Sequence, residues 1–240
     1  MKSWRRMNKI VFTLDVGDEW IPKDYYPVPG VKAVPEWYKK METSYADDKK
    51  NEWQVKESQT MKRCMPIIDS ITTGYILKTH TDLVVNNKDG VTSFLWANDT
   101  QDTVSFHPAY QVVNYKELDL SQGVPKIRNP WCIETPVGYS SLFINPIHRP
   151  ACGIKILEGI VDTDKYTASI QFPFIVDEGF TGVIPAGTPI VQVLPFKRDS
   201  FRMEIGGKKE KKKNADVAKL LRSTWINGYR SKFRTRKDYL

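Results

Sequence analysis

From Ile67 to Phe196 apolar residues fall at alternate positions or in short runs cut by Gly and Pro, a pattern of strands joined by turns. Thr72–Lys78 alternates around Tyr75, Ile76 and Leu77. Asp82–Val85 follows, and Asn86–Gly90 reads as a turn leading into Val91–Trp96, which predicts a hairpin or meander. Further strands are expected over Gly138–Asn145, Ile154–Val161, Ala168–Val176 and Pro189–Phe196. Pro173 cannot donate to a ladder, so its segment is expected at a sheet edge or on a bulge. Lys9–Asp15 reads as one more strand, Pro35–Met41 as a short helix with Pro in its first turn, and residues 44–60 as a polar loop. The spacing turns helical only near the C-terminus. There Asn214 can cap a helix, Asp216 suits its positive end, and Val217, Leu220, Leu221, Thr224 and Trp225 form its apolar stripe before Gly228. The expected architecture is mainly β, a sandwich or barrel. It divides into an extended N-terminal segment (1–66), a β-rich core (67–200) and a basic C-terminal helix and tail (201–240). No internal repeat is visible.

Composition agrees with a folded chain: of 240 residues 40% are hydrophobic and 27% charged. No stretch approaches the roughly 18 apolar residues of a membrane span. The run Ile10–Leu14 is too short for a signal peptide, so a soluble, unsecreted protein is expected. Cys64, Cys132 and Cys152 are an odd count without C-x-x-C spacing, which points to small core residues rather than disulfides or a zinc site. The net charge of +8 is concentrated: residues 201–240 hold 13 basic and 4 acidic residues, leaving the rest of the chain at −1. Long-range attraction to an anionic partner therefore belongs to the tail. Lys211, Lys212 and Lys213 with Arg230, Lys232, Phe233, Arg234 and Arg236 combine cations with aromatic rings, a composition able to hold nucleic acid or anchor a protein partner. A solvated charge run reads the same residues without a ligand.

Among motifs, Gly-x-Gly-x-x-Gly, the P-loop, His-Glu-x-x-His and Gly-x-Ser-x-Gly are all absent. His80-Thr-Asp82 has the His-x-Asp spacing of an iron-binding facial triad, with His107 or His148 as third ligand, but the triplet is common and no Arg follows at the interval a co-substrate carboxylate needs. Its plain reading is a strand-end His paired with an Asp.

One resemblance rests on three pieces, Pro136–Leu142, Gly159–Ile170 and Ile184–Leu194. In order and spacing they resemble the dUTPase and dCTP deaminase superfamily across residues 136–197. The resemblance implies a β-clip fold, a distorted barrel or sandwich, here with a C-terminal amphipathic helix and basic tail, and it implies a homo-oligomer, a trimer first, in which a C-terminal arm crosses between subunits. It places Asp162 at the position of the general base, with Asp164 beside it, Tyr166 near that of the sugar platform and Gln192 at a phosphate contact, leaving His148 and Arg149 as the polar candidates for the phosphate loop. Magnesium would be the cofactor of such a hydrolase; otherwise none is expected.

The departures are specific. Asp162-Thr-Asp-Lys-Tyr166 has one residue more than the family motif, Pro189 stands in place of an Arg, the Gly-rich closing arm is replaced by Lys-rich sequence, and Pro173 occupies the position of the deaminase Glu. Each lost phosphate donor costs about 10² to 10³ in rate. Asp162 and Asp164 then read as turn residues bonding nearby backbone. A second resemblance, at Pro35–Lys39, Lys62–Tyr75, Gly159–Asp164 and Ile184–Thr188, is to tailed-bacteriophage and some bacterial proteins with no assigned activity. The expectation is a non-catalytic binding or structural protein of phage type, in the virion or the infected cell's cytoplasm, with the hydrolase and nucleic-acid readings as alternatives.

Overall fold

The computed structural model describes residues 8–44, 59–88, 91–97, 103–112, 123–223 and 228–240. Two compact units emerge, one from residues 1–33 and 74–198, the other from 34–73 and 199–240. The division drawn from the sequence ran differently: the second unit joins a piece of the N-terminal segment to the basic tail.

The described residues of the first unit are mainly β, with three short 3-10 turns at Lys23–Tyr25, Gly30–Ala33 and Ala109–Val112. Its strands are β1 (Val11–Leu14), β2 (Val28–Pro29), β3 (Tyr75–Lys78), β4 (Leu83–Lys88), β5 (Val91–Trp96), β6 (Val104–His107), β7 (Val124–Ile127), β8 (Trp131–Glu134), β9 (Tyr139–Ile144), β10 (Ile154–Ile156), β11 (Gly159–Val161), β12 (Phe172–Val176), β13 (Gly182–Ile184) and β14 (Pro189–Lys197). They form sheets in the orders β11-β9-β14-β3-β2, β10-β12-β7-β6, β13-β4-β5 and β1-β8, with every pairing antiparallel. Apolar side chains from several of these sheets close on one core. Ile76, Leu77, Phe143, Val191 and Val193 from the five-stranded sheet are buried, as are Ile127, Phe172 and Phe174 from the four-stranded sheet. Most of these side chains belong to one cluster with Leu83, Val85, Trp131, Ile133 and Ile184. Each buried large apolar side chain contributes about 1.5–3 kcal/mol.

Three expectations change. Ile154–Val161 is not one strand: β10 and β11 belong to different sheets, with β10 on β12 and β11 on β9. Pro173 is not on an edge strand, because β12 lies between β10 and β7. It is tolerated because β12 changes neighbours there. Phe172 and Pro173 pair with β7, Phe174–Val176 pair with β10, and the Pro173 carbonyl accepts from Leu157 N–H. Of the expected Asn86–Gly90 turn, Asn86–Lys88 belong to β4 and pair with β5, and residues 89 and 90 lie outside the described residues.

The second unit is helical. Its helices are α1 (Glu36–Lys40), α2 (Met65–Thr72), α3 (Lys208–Ser223) and α4 (Gly228–Lys232). Pro35 precedes α1 as its cap rather than sitting within it. Residues 67–72, read as the start of a strand, are helical: Pro66 sits in the first turn, Ser70 and Thr72 return their hydroxyls to the Ile67 and Ile68 carbonyls, and Ile71 is buried. Helix α3 begins at Lys208, six residues before the expected cap Asn214. Glu210 accounts for the difference, because its carboxylate accepts the Gly207 N–H at 2.8 Å and so closes the first turn ahead of the lysine run. Gly228 opens α4 instead of ending α3, while Thr224 and Trp225 lie outside the described residues. The 44–60 loop is likewise outside them for the most part. No described helix is long and apolar enough to cross a membrane.

Candidate functional site

Antiparallel pairing of β11 with β9 sets Val161 opposite Ser141, and the chain turns immediately afterwards. In that turn the N–H groups of Lys165 and Tyr166 both bond the Asp162 carbonyl. Between the two carboxylates, Thr163 points inward, its hydroxyl 2.8 Å from that of Thr135 and 2.9 Å from that of Ser141, a buried three-hydroxyl network. Asp164 follows into a closed pocket of donors. Its side chain is only 3% exposed; it accepts the Gly138 N–H at 2.8 Å and both ends of the Arg198 guanidinium. Arg198 also donates to the Tyr139 carbonyl and the Ser140 hydroxyl. The Arg198 hydrogen bonds, with the Gly138 N–H second, hold the Asp164 carboxyl far below the usual carboxylate range. Gly138, at φ +87°, turns its N–H toward that carboxylate in a conformation L side chains rarely adopt.

Asp162 is the more open of the pair, its side chain 50% exposed. Its Oδ1 accepts the Ser140 hydroxyl at 2.6 Å and lies 3.3 Å from Arg198. One oxygen of the candidate base is thus committed to a structural bond beside a fixed cation. The arrangement is a clamp tying the 136–140 turn, the 162–164 turn and the end of β14 through charge-assisted hydrogen bonds across the chain rather than within one turn.

The other candidates lie elsewhere. Gln192 is fully buried, and its Oε1 accepts the Ile147 N–H at 3.0 Å. It pairs with Ile144, at the opposite end of β9 from Ser140. At about 3.4 Å per residue, roughly 14 Å of strand separates those two ends. Since Ile147 is bonded to Gln192, the following His148 and Arg149 emerge from the far end as well. His148 is exposed and adopts φ 55°, left-handed for a non-glycine residue; Arg149 has its Nε and Nη2 buried without a hydrogen-bond partner, and burial pushes its pKa down. Tyr166 is 52% exposed. The structure therefore brings Asp162 and Asp164 together with Ser140 and Arg198, and separates them from Gln192, His148 and Arg149. Arg198, the residue on which the clamp depends, was missed: it stands in Phe196-Lys-Arg-Asp199 with no spacing that marks it, and only the pairing of Lys197 with Tyr139 brings it to the turn.

His80 and Asp82 do not share a centre. His80 is buried edge-on to Trp20, whereas Asp82 is exposed and accepts the Ala186 N–H at 2.7 Å. Among the described residues no group of three His, Cys, Asp or Glu side chains could hold a metal ion. In the tail, Lys211, Lys212, Lys213, Arg230, Lys232 and Phe233 are exposed, and Arg236 pairs with Asp238 at the surface. Arg234 is engaged differently, gripping buried Asp69 through Nε and Nη2 with Lys237 on the same carboxylate. The three cysteines are free thiols; Cys64 is exposed, not a core residue, and Cys132 and Cys152 are partly buried.

Neither a family model nor a curated protein matches the chain. Two solved structures that it resembles are dUTPases. One, the native dUTPase of EIAV, is 13% identical with a TM-score of 0.33, over 57% of this chain and 84% of that one. The other, a mutant dUTPase from phage phi11 of S. aureus, is 9% identical with a TM-score of 0.34, over 84% of this chain and 98% of that one. The mainly β architecture rests on the sheets described above.

Proposed function

We propose that the chain is a non-catalytic β-rich binding or structural module of phage type, self-associating, that serves in a virion or as an accessory factor in the infected cell. The observation that carries this reading is the division of the candidate residues between the two ends of β9. A hydrolase of the dUTPase kind works by holding base, sugar platform and phosphate donors around one substrate. Here Asp164 is spent on Arg198, Asp162 shares an oxygen with Ser140, and Gln192 is sealed inside the sheet on the Ile147 amide. The test is hydrolysis of a panel of deoxynucleoside triphosphates with magnesium, wild type against Asp162→Asn. We expect no turnover by either protein. Turnover of dUTP or a relative by the wild type, lost in the variant, would establish instead a diverged nucleotide pyrophosphatase with Asp162 as base.

A second reading is favoured by the surface of α3, where Lys211, Lys212 and Lys213 project from a helix without buried residues. Such a helix can neutralise nucleic-acid phosphates. On this reading the full chain binds DNA or RNA in a salt-dependent way, and Lys211→Glu, Lys212→Glu and Lys213→Glu together weaken that binding; binding untouched by the triple change sinks it.

A further inference from the structure

Helix α3 opens Lys208-Lys-Glu-Lys-Lys-Lys213, five cations in its first six residues. Cations there work against the helix, because its N-terminal end already carries partial positive charge and like charges three or four residues apart repel. Glu210 does not offset them, since its carboxylate accepts the Gly207 N–H. Ion pairs do not either. Elsewhere Arg128, Lys155, Arg198, Arg234, Arg236 and Lys237 each meet a carboxylate, whereas among the described residues no carboxylate forms an ion pair with a cation of α3.

The period of the helix sorts these cations by face. At about 100° per residue, Lys208, Lys211, Lys212, Lys219 and Arg222 fall within an arc of about 100°, and all five are exposed. Lys209 and Lys213 fall outside that arc, and Glu210, Val217 and Leu221 lie on the side away from it. Along the axis the stripe has two parts. Lys208, Lys211 and Lys212 make one cluster, and Lys219 and Arg222 make the other. From Lys212 to Lys219 is about 10 Å of helix, in which Ala215 alone lies on that face.

We infer that α3 binds duplex DNA across its major groove, with one basic cluster on each phosphate backbone. Resting on the nucleic-acid reading above, this names the substrate and the residues that hold it. The major groove of B-form DNA is about 12 Å wide, so its two backbones are anionic rails at close to the separation of the two clusters. A single strand offers one rail, and the major groove of duplex RNA is narrow and deep. Phosphates supply the counter-charge that α3 lacks within the chain. Ala215 stands over the groove floor with no hydrogen-bonding group for a base edge, so the contact is with the backbone and does not read sequence. An anionic bilayer fits this face less well, because an interfacial helix needs large apolar side chains to bury and the stripe has only the Ala215 methyl.

The experiment measures binding of the full chain to short DNA duplexes of two unrelated sequences, to a single strand of one of them and to an RNA duplex of the same length, by fluorescence anisotropy over a series of salt concentrations. Lys212→Gln with Lys219→Gln removes one cation from each cluster. Lys209→Gln with Lys213→Gln removes the same charge from outside the stripe, and circular dichroism confirms that both variants keep their helix. The expected result in the wild type is DNA duplex of either sequence bound at least about tenfold tighter than single strand or RNA duplex at equal salt. The slope of log K against log salt should fall in magnitude by about 2 in the first variant and by less than about 0.5 in the second. A single strand or RNA duplex bound as tightly as the DNA duplex, or an equal change of slope in the two variants, overturns this inference and leaves the nucleic-acid reading standing. Binding to none of the nucleic acids overturns both, as does retention on vesicles of phosphatidylserine and phosphatidylcholine in their place. The comparison of nucleic acids in the wild type stands without either variant.

Discussion

His80 shows how one buried side chain sets a pH limit. Burial pushes its imidazole pKa down, the Arg128 guanidinium nearby adds to that, and Asp18 opposes it. Asp18 is itself fully buried and held by both ends of Arg128. Because the folded-state pKa lies below the unfolded value of about 6.5, the unfolded chain takes up the proton first as pH falls. Stability is therefore complete above pH 6.5 and declines as the pH falls below it. Urea unfolding at pH 7.5, 6 and 5 should show this decline in the wild type and a flatter profile in His80→Gln; equal slopes would show that His80 is not responsible. The carboxylate clamp acts in a different window. Asp164, with its pKa depressed, contributes stability that is lost only as pH falls below the ordinary carboxylate range. At this scale the sequence was half legible. Asp162 and Asp164 were visible as a pair, but their side chains bond Ser140 and Gly138 of another turn rather than the backbone beside them, and the cation on Asp164 comes from a strand end thirty-four residues away. Buried Asp18, whose partner is 110 residues distant, carried no signal at all.

Elements were legible where their patterning was local. The alternation of Val91–Trp96 fits a strand with one covered face, and the apolar run of Pro189–Phe196 fits one buried on both faces, residues 190–193 being buried in succession; both spans are strands in the structure. What failed was the choice between short apolar runs: Met65–Thr72 has Ile67, Ile68 and Ile71, a set compatible with either period, and the decision lies with Pro66 in the first turn and with burial of Ile71 and Asp69. The next residues show how such a helix is stopped. Gly74 has φ +75°, and a Cβ there would lie 2.1 Å from the Val193 carbonyl oxygen. Its own carbonyl accepts the Gly30 N–H. Gly74→Ala should therefore combine a left-handed strain with a backbone collision, costing about 2 kcal/mol or more in denaturant unfolding. A loss within a few tenths of a kcal/mol would mean that the turn relaxes freely. The partner change of β12 at Pro173 was illegible for a further reason, since a strand's neighbours are a property of the sheet and not of its own residues.

On the scale of the whole molecule, the helical unit depends on one carboxylate. Asp69 on α2 is bound by Arg234 and Lys237 from the last residues of the tail, and the hydrogen bond from Arg234 is the main cause of its lowered pKa. Asp69→Ala should release that tail, so trypsin should cut after Arg234, Arg236 or Lys237 markedly faster than in the wild type while the β unit stays intact. Unchanged cleavage would mean that other contacts hold the terminus. The same pairing has a consequence for synthesis. Residues 34–73 are made well ahead of their partners in the unit, which begin at Asp199. Arg234, the first cation on Asp69, lies 165 residues downstream, and at about 5–20 residues per second the ribosome needs roughly 8 to 33 s to reach it. During that interval α2 holds a carboxylate with no cation to meet it. A segment made well before its partners thus waits to find its place, and a nascent chain stalled before residue 199 presents that unfinished helix to whatever chaperone or protease is at hand.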